Sequence, residues 1–288
     1  MPQEKIKRIF RYVDVPELPE LYSRLDAAIV DSNSTTASIS AIIAEDTALA
    51  KCLVKLANCT LFRFSSRIET IDSAIDNIGA RQIGDLALSV LILRMFDGMD
   101  PDIVSMQSYW RHSFACGITA RILAAHRGEP NIERFFLAGL LHDIGGLLFY
   151  VHIPEQALMA ILRARDGNGP LHHQEREIVG FDHALLGKVI LQSWHLPEAL
   201  QEAVEHHHTP ELASTYAVEA ATLHVADIII NAMQYGSRGE FIVSPVHPEA
   251  WERLGLPVSI LQPTMEQIDY QFNSIVKVFF GEYCGGIV

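Results

Sequence analysis

The side chains in this sequence best suited to chemistry are histidines and aspartates. There are 13 histidines in 288 residues, and the densest places are His142-Asp143, Asp182-His183 and His206-His207-His208. His112 lies upstream, and Asp227 lies downstream in the apolar stretch LHVADIIINA. Imidazole and carboxylate are the usual ligands of borderline divalent metals such as iron, zinc, manganese and nickel. Two such cations a few ångströms apart can share a bridging carboxylate and clamp a phosphoryl group. Asp143 makes the strongest demand, because it stands inside LAGLLHDIGGLLF. A lone buried carboxylate costs several kcal/mol unless it is paired or coordinated. Asp227 poses the same problem on a second apolar segment, and one shared cation site would answer both.

Plainer roles compete for each residue. Asp143 could cap a following helix through backbone N–H groups. Asp227 could pair with His224 on the same helical face. His112 alone is an ambiguous mid-helix histidine. The triple histidine could be a solvated helix end, where cationic imidazole suits the dipole. Adjacent helical residues point about 100° apart, so at most two of the three can face one site. His126, His152, His172, His173, His195 and His247 lie near turns and read as surface or local structure.

These residues must be positioned by helices, since apolar spacings of three and four dominate and strand signals are few. The spacing predicts helices over 20–30, 39–44 with Ser38 as N-cap, 47–58 capped by Asp46, and from Thr70 or Asp72 to Ile78, ended by Gly79. Others are expected over 81–95, 105–127, 132–142, 154–164, 171–179, 183–194, 197–206, 217–235, 248–254 and 263–280. A Gly/Pro/Asp turn is expected at 97–102. There are no internal repeats or low-complexity linkers. With 49% hydrophobic and 20% charged residues, the chain can bury a substantial core. The most apolar run, Leu86 to Phe96, is about half the ~20 residues a membrane span needs and contains Arg94. It reads as a buried core helix, and no membrane partner is expected. A net charge of −13 argues against broad nucleic-acid binding. MPQEKIKRIF does not read as a signal peptide. Cys52, Cys59, Cys116 and Cys284 suggest buried free thiols in a reducing cytosol, so the expected location is cytoplasmic.

The motifs resemble a known family. AGLLHDIG, preceded by WRHSFACGITARILA, looks like the HD superfamily of metal-dependent phosphohydrolases. LPELYSRL, EDTALAKCLVKLANCTLF, IDSAIDNIGARQIGDLAL and EREIVGFDHALLGKVILQSWHLPEALQEAVEHHHTP resemble its HDOD branch, in the same order, over roughly residues 15 to 230. The resemblance implies an all-α, HD-superfamily helical bundle in a bacterial signalling protein. It implies an N-terminal helical part over 1–97, an HD-like metal-site core over 98–235 and a C-terminal helical extension over 236–288.

HD-GYP phosphodiesterases are similar, and their two-metal pattern carries over to His112, His142, Asp143, His183, His207, His208 and Asp227. A register one residue earlier would use His206 and His207. Asp143 would bridge the metals, and would be the catalytic residue if the protein is an enzyme. One metal would add His112, His142 and Asp227; the other would add His183, His207 and His208. The expected cofactor is one or two divalent ions of Fe, Mn, Zn or Ni. The sequence departs from the HD-GYP pattern in two places: Gly146 replaces the lysine after HD-I-G, and Thr209-Pro210 stands where a GYP loop would begin. Arg111 or Lys188 could restore a positive charge. A regulatory module with a signalling partner protein or small phosphorylated ligand is therefore the first expectation. A metal-dependent phosphohydrolase acting on a nucleotide or other phosphate ester is the second.

Overall fold

A computed structural model of the chain describes residues 15–62, 64–97, 103–237, 239–240 and 242–279. The turn expected at 97–102 lies, from residue 98, outside the described residues, as do Cys284 and Phe280. The described residues are all-α and contain no strand. In chain order the helices are α1 (Glu20–Val30), α2 (Thr36–Ala44), α3 (Thr47–Ala57), α4 (Ile71–Ile78), α5 (Ala80–Met95), α6 (Met106–Arg127), α7 (Ile132–Leu141) and α8 (Ile144–His152). They continue with α9 (Pro154–Arg165), α10 (Leu171–Ile178), α11 (His183–Ser193), α12 (Glu198–His206), α13 (Ala217–Met233), α14 (Pro248–Leu254) and α15 (Leu261–Phe279). They group into two compact units, one on Met99–Thr264 and one on Glu17–Gly98 with the chain from Met265.

In the unit on Glu17–Gly98, helix starts follow from side-chain caps. Asp46 Oδ1 accepts from Leu49 N–H at 2.8 Å and Thr70 Oγ1 from Ser73 N–H at 3.1 Å. The start of α2 differs from the expected Ser38 cap. Thr35 is the N-cap, and it exchanges two hydrogen bonds with Ser38 at 3.2 and 2.9 Å. That reciprocal box satisfies two otherwise orphaned donors, which a cap at Ser38 alone would not. The apolar run beginning at Leu86 is buried in α5, as expected of a core helix. Cys59 and Cys116 are buried outside any disulfide, but Cys52 is disulfide-bonded, which corrects the expectation of four thiols.

The unit on Met99–Thr264 holds all the candidate site residues. Here α6 packs on α7 and α13, α11 packs on α8 and α12, and α13 packs on α14. Small residues are frequent in its core, where Cys116, Ala120, Ala124, Ala221, Val225 and Ala250 are buried in one cluster with Leu123, Phe135 and Leu254. By length and composition Ile132–His152 could cross a membrane, yet 89% of its apolar window is buried inside the structure. It is an interior segment broken at His142-Asp143 into α7 and α8. The second half, α8, is the helix that the sequence offers only as one Asp143 could cap, and it carries Gly145-Gly146 in its first turn. Contact explains the glycine. A Cβ on Gly145 would lie 2.1 Å from the His183 carbonyl oxygen and 2.7 Å from Gly187 N. Gly145 therefore lets the backbones of α8 and α11 touch. Gly139 does the same for α7 on α6, since its Cβ would lie 2.6 Å from Gly117 Cα.

Candidate metal centre

Those two close approaches bring the chemistry together. His112 is mid-helix in α6, which is buried along most of its length. His142 ends α7, and Asp143 follows with φ −99 and ψ 5 before α8 begins. This sparsely populated region of backbone space suits a tight change of direction between two helices. His183 opens α11, where Asp182 Oδ1 caps the helix by accepting from Leu185 N–H at 2.9 Å. His207 and His208 lie just past α12, and Asp227 projects from α13.

The structure brings all seven sequence-expected residues to one place, and Asp143 is its middle. Asp143 Oδ2 lies 3.2 Å from His142 Nε2 and 3.6 Å from His112 Nε2. Its other oxygen, Oδ1, lies 3.3 Å from His183 Nε2 and 3.9 Å from His207 Nε2. Asp227 Oδ1 closes the first group, at 3.1 Å from His112 Nε2 and 3.6 Å from His142 Nε2. His208 Nε2 closes the second, at 2.9 Å from His183 Nε2, which is 3.3 Å from His207 Nε2. The groups His112/His142/Asp227 and His183/His207/His208 are each compact enough to hold a metal ion, as is His142/Asp143/His207.

The plainer roles fail on geometry. Asp143 occupies an N-cap position but makes no capping hydrogen bond. His224 does not hydrogen-bond Asp227: its Nδ1–H donates to the His207 carbonyl at 2.8 Å, and its Nε2 accepts from His247 N–H at 2.9 Å. Asp227 instead accepts from Asn231 Nδ2 at 2.9 Å. The register of the triple histidine is also resolved. His206 turns toward Glu205 and Thr209, while His207 and His208 face the group.

Backbone and carboxylate partners aim the rings. His142 Nδ1–H donates to Gly139 O and His207 Nδ1–H to Val204 O, both at 2.7 Å. A carbonyl can only accept, so in each ring the proton sits on Nδ1 and Nε2 faces the site. His183 Nδ1 meets Glu175 Oε2 at 2.5 Å, and the same oxygen accepts His183 N–H at 2.9 Å. This is the carboxylate–histidine support common in metal sites. Glu175 stands inside the recognised motif, but nothing in its local sequence marks it as a partner of His183. His172, expected as surface or local structure, is buried and stacks on His208 with centroids 4.0 Å apart and planes 13° apart. His126, His173 and His195 are exposed as expected. Lys188 is committed to Glu205 at 2.5 Å, so it does not supply the charge missing at Gly146.

The electrostatics call for positive charge. Burial opposes ionisation of Asp227, but the imidazoles of His112 and His142 close beside it outweigh that and hold the carboxyl well below its usual range. Burial likewise works against a charge on His142, but Asp143, Cys116 and Asp227 together outweigh it and raise that imidazole well above its usual range. Burial, with His142 and His183 nearby, pushes His207 down to about 3 and so keeps it in the neutral form that ligates metals. His142 Nε2 is buried without a hydrogen-bond partner although two carboxylates lie close by. Two buried carboxylates facing five imidazole nitrogens match the donor set of a pair of borderline divalent cations.

This chain belongs to the HDOD family: residues 15–210 match the HDOD domain. Asp227 lies beyond that match. Among solved structures, it is similar to an HDOD domain protein of unknown function from Geobacter sulfurreducens, with 20% identity, a TM-score of 0.77 and coverage of 97% of this chain and 99% of that one. It is also similar to a protein of Shewanella amazonensis SB2B provisionally named a metal-dependent phosphohydrolase, with 23% identity, a TM-score of 0.67 and 96% of each chain covered. At these identities the likeness establishes a shared fold. A curated relative is an uncharacterized protein of Treponema pallidum (strain Nichols), 28% identical over 222 residues. The match covers 76% of this chain but only 43% of that relative's length.

Proposed function

We propose that this protein is a bacterial HDOD regulatory module whose buried centre holds two divalent transition-metal ions. The observation that carries this reading is the division of the Asp143 carboxylate, with one oxygen facing His112 and His142 and the other facing His183 and His207. Each cation would take one of the two triads and share Asp143. Fe, Mn, Zn and Ni all suit this mixture of imidazole and carboxylate. When bound, such ions act as Lewis acids and make coordinated water acidic near neutral pH. The chain itself presents the Nε2 atoms of His142, His183 and His207 in fixed tautomers, supplies the carboxylate that would bridge and excludes bulk water by burial.

A regulatory output through a partner protein or small phosphorylated ligand is favoured by what is missing around the centre. Gly146 carries no charge, and Lys188 is tied to Glu205. A phosphoryl group would find no lysine at either position. The second reading, a phosphohydrolase acting on a nucleotide or another phosphate ester, is favoured by the completeness of the donor set. Metal analysis of the purified parent and Asp143→Ala tests the centre, with about two ions per chain expected in the parent. Metal retained undiminished in the variant overturns the assignment. Turnover of nucleotides or phosphodiesters with added manganese or iron selects the enzyme reading, and inactivity with metal bound selects the regulatory one.

A further inference from the structure

We infer that His172 is a positioning residue for His208, and that one face of α10 sets the affinity of one cation position separately from the other. The inference rests on the two-cation reading above. His172 and Glu175 are three residues apart on α10, so they share a helical face. Both are buried, whereas His173, Arg176 and Glu177 are exposed. Glu175 grips His183 through its ring and its backbone N–H. His172 lies flat against His208 at 4.0 Å, and His207 is on that ring as well at 3.9 Å. Thus one short helix supports two of the three imidazoles in the His183/His207/His208 group.

His208 has particular need of such support. It lies beyond the last turn of α12, so the helix does not fix its ring as a regular turn would. A ligand loosely held in direction must be ordered when a cation binds, and that ordering weakens binding. A flat, buried partner removes that freedom beforehand. The other triad takes its support elsewhere: His142 from Gly139 O, and Asp227 from Asn231. The two halves of the centre are therefore held by different elements, and a change on α10 reaches one half first.

The test is titration of the chelator-stripped full chain with manganese alone. Bound ions are counted by paramagnetic resonance and the affinities measured by calorimetry, for the parent, His172→Leu and His172→Phe. Leucine fills the space without a flat ring, and phenylalanine keeps the ring. In His172→Leu the weaker or the stronger of the two binding steps, but not both, is expected to lose about 10- to 100-fold in affinity. His172→Phe is expected to restore it. Two steps unchanged in His172→Leu, or both weakened alike, overturn the inference, as does a Phe variant that behaves like Leu. A parent that binds fewer than two manganese ions overturns the two-cation reading itself, and this inference with it.

Discussion

Substituting Gly145 by alanine perturbs the contact on which the centre is built. The new Cβ would lie 2.1 Å from His183 O, where ordinary contact begins near 3.4 Å, so the α8 and α11 backbones must part by about 1.3 Å, the difference between the two. The nearest neighbours of that Cβ are all backbone atoms of α11, which cannot swing aside as a side chain would. Overpacking of this kind costs about 1–3 kcal/mol. The same displacement pulls His183 from Asp143, which now stand 3.3 Å apart through Nε2 and Oδ1. Ligand bonds to borderline metals are about 2.0–2.2 Å and tolerate little drift, so metal affinity should fall about 10- to 100-fold. Gly187→Ala is the comparison, because its Cβ would meet a methyl of the buried Val204 side chain on α12 at 2.7 Å, and so crowds α11 against α12 without parting α8 from α11. Thermal unfolding and metal titration of both variants read the difference. Parent stability together with parent metal affinity in Gly145→Ala would refute the argument that close backbone contact aligns the centre.

Three further outcomes are expected. Glu175→Gln removes the charge behind His183 and should weaken metal binding about 10- to 100-fold, as measured by calorimetry, while helical content by circular dichroism stays unchanged. His224→Phe leaves the buried His207 carbonyl without its donor and should cost about 1–3 kcal/mol in denaturant unfolding, with m unchanged. Glu202 is held below its usual range because, although burial opposes its ionisation, backbone N–H groups of Ser214, Thr215 and Tyr216 outweigh that effect. A lowered carboxylate adds stability above its unfolded value, near 4.5, and loses it as pH falls through the folded value. Glu202→Gln should therefore unfold more readily than the parent at neutral pH, with the gap closing in melts taken below about pH 4.5.

The sequence carried the chemistry of the centre better than its scaffolding. His142-Asp143 and Asp227 stood out because carboxylates inside apolar runs need compensation, and that need is visible in one dimension. The all-helical class was legible from spacing, and most helix ends from Asp46, Thr70 and Gly79. What supports the ligands was not legible. His172, Glu175 and His224 act across gaps in sequence, through a ring stack, an ion pair and a backbone carbonyl, and no local pattern announces such partners. Helix α8 was legible only as a helix that Asp143 could cap, and why glycine stands in its first turn was not: Gly145 answers to the backbone of α11. The choice between His206 and His208 depended on where α12 stops, which periodicity locates only to within a residue or two.

The most direct measurement is diffraction from crystals soaked in manganese, with anomalous maps recorded at the metal's absorption edge. Two peaks are expected about 3.5–4 Å apart, one on each side of the Asp143 carboxylate. The first should be bounded by His112, His142 and Asp227, the second by His183, His207 and His208. A single peak away from Asp143, or soaked crystals with no peak among these seven residues, would contradict the two-cation reading.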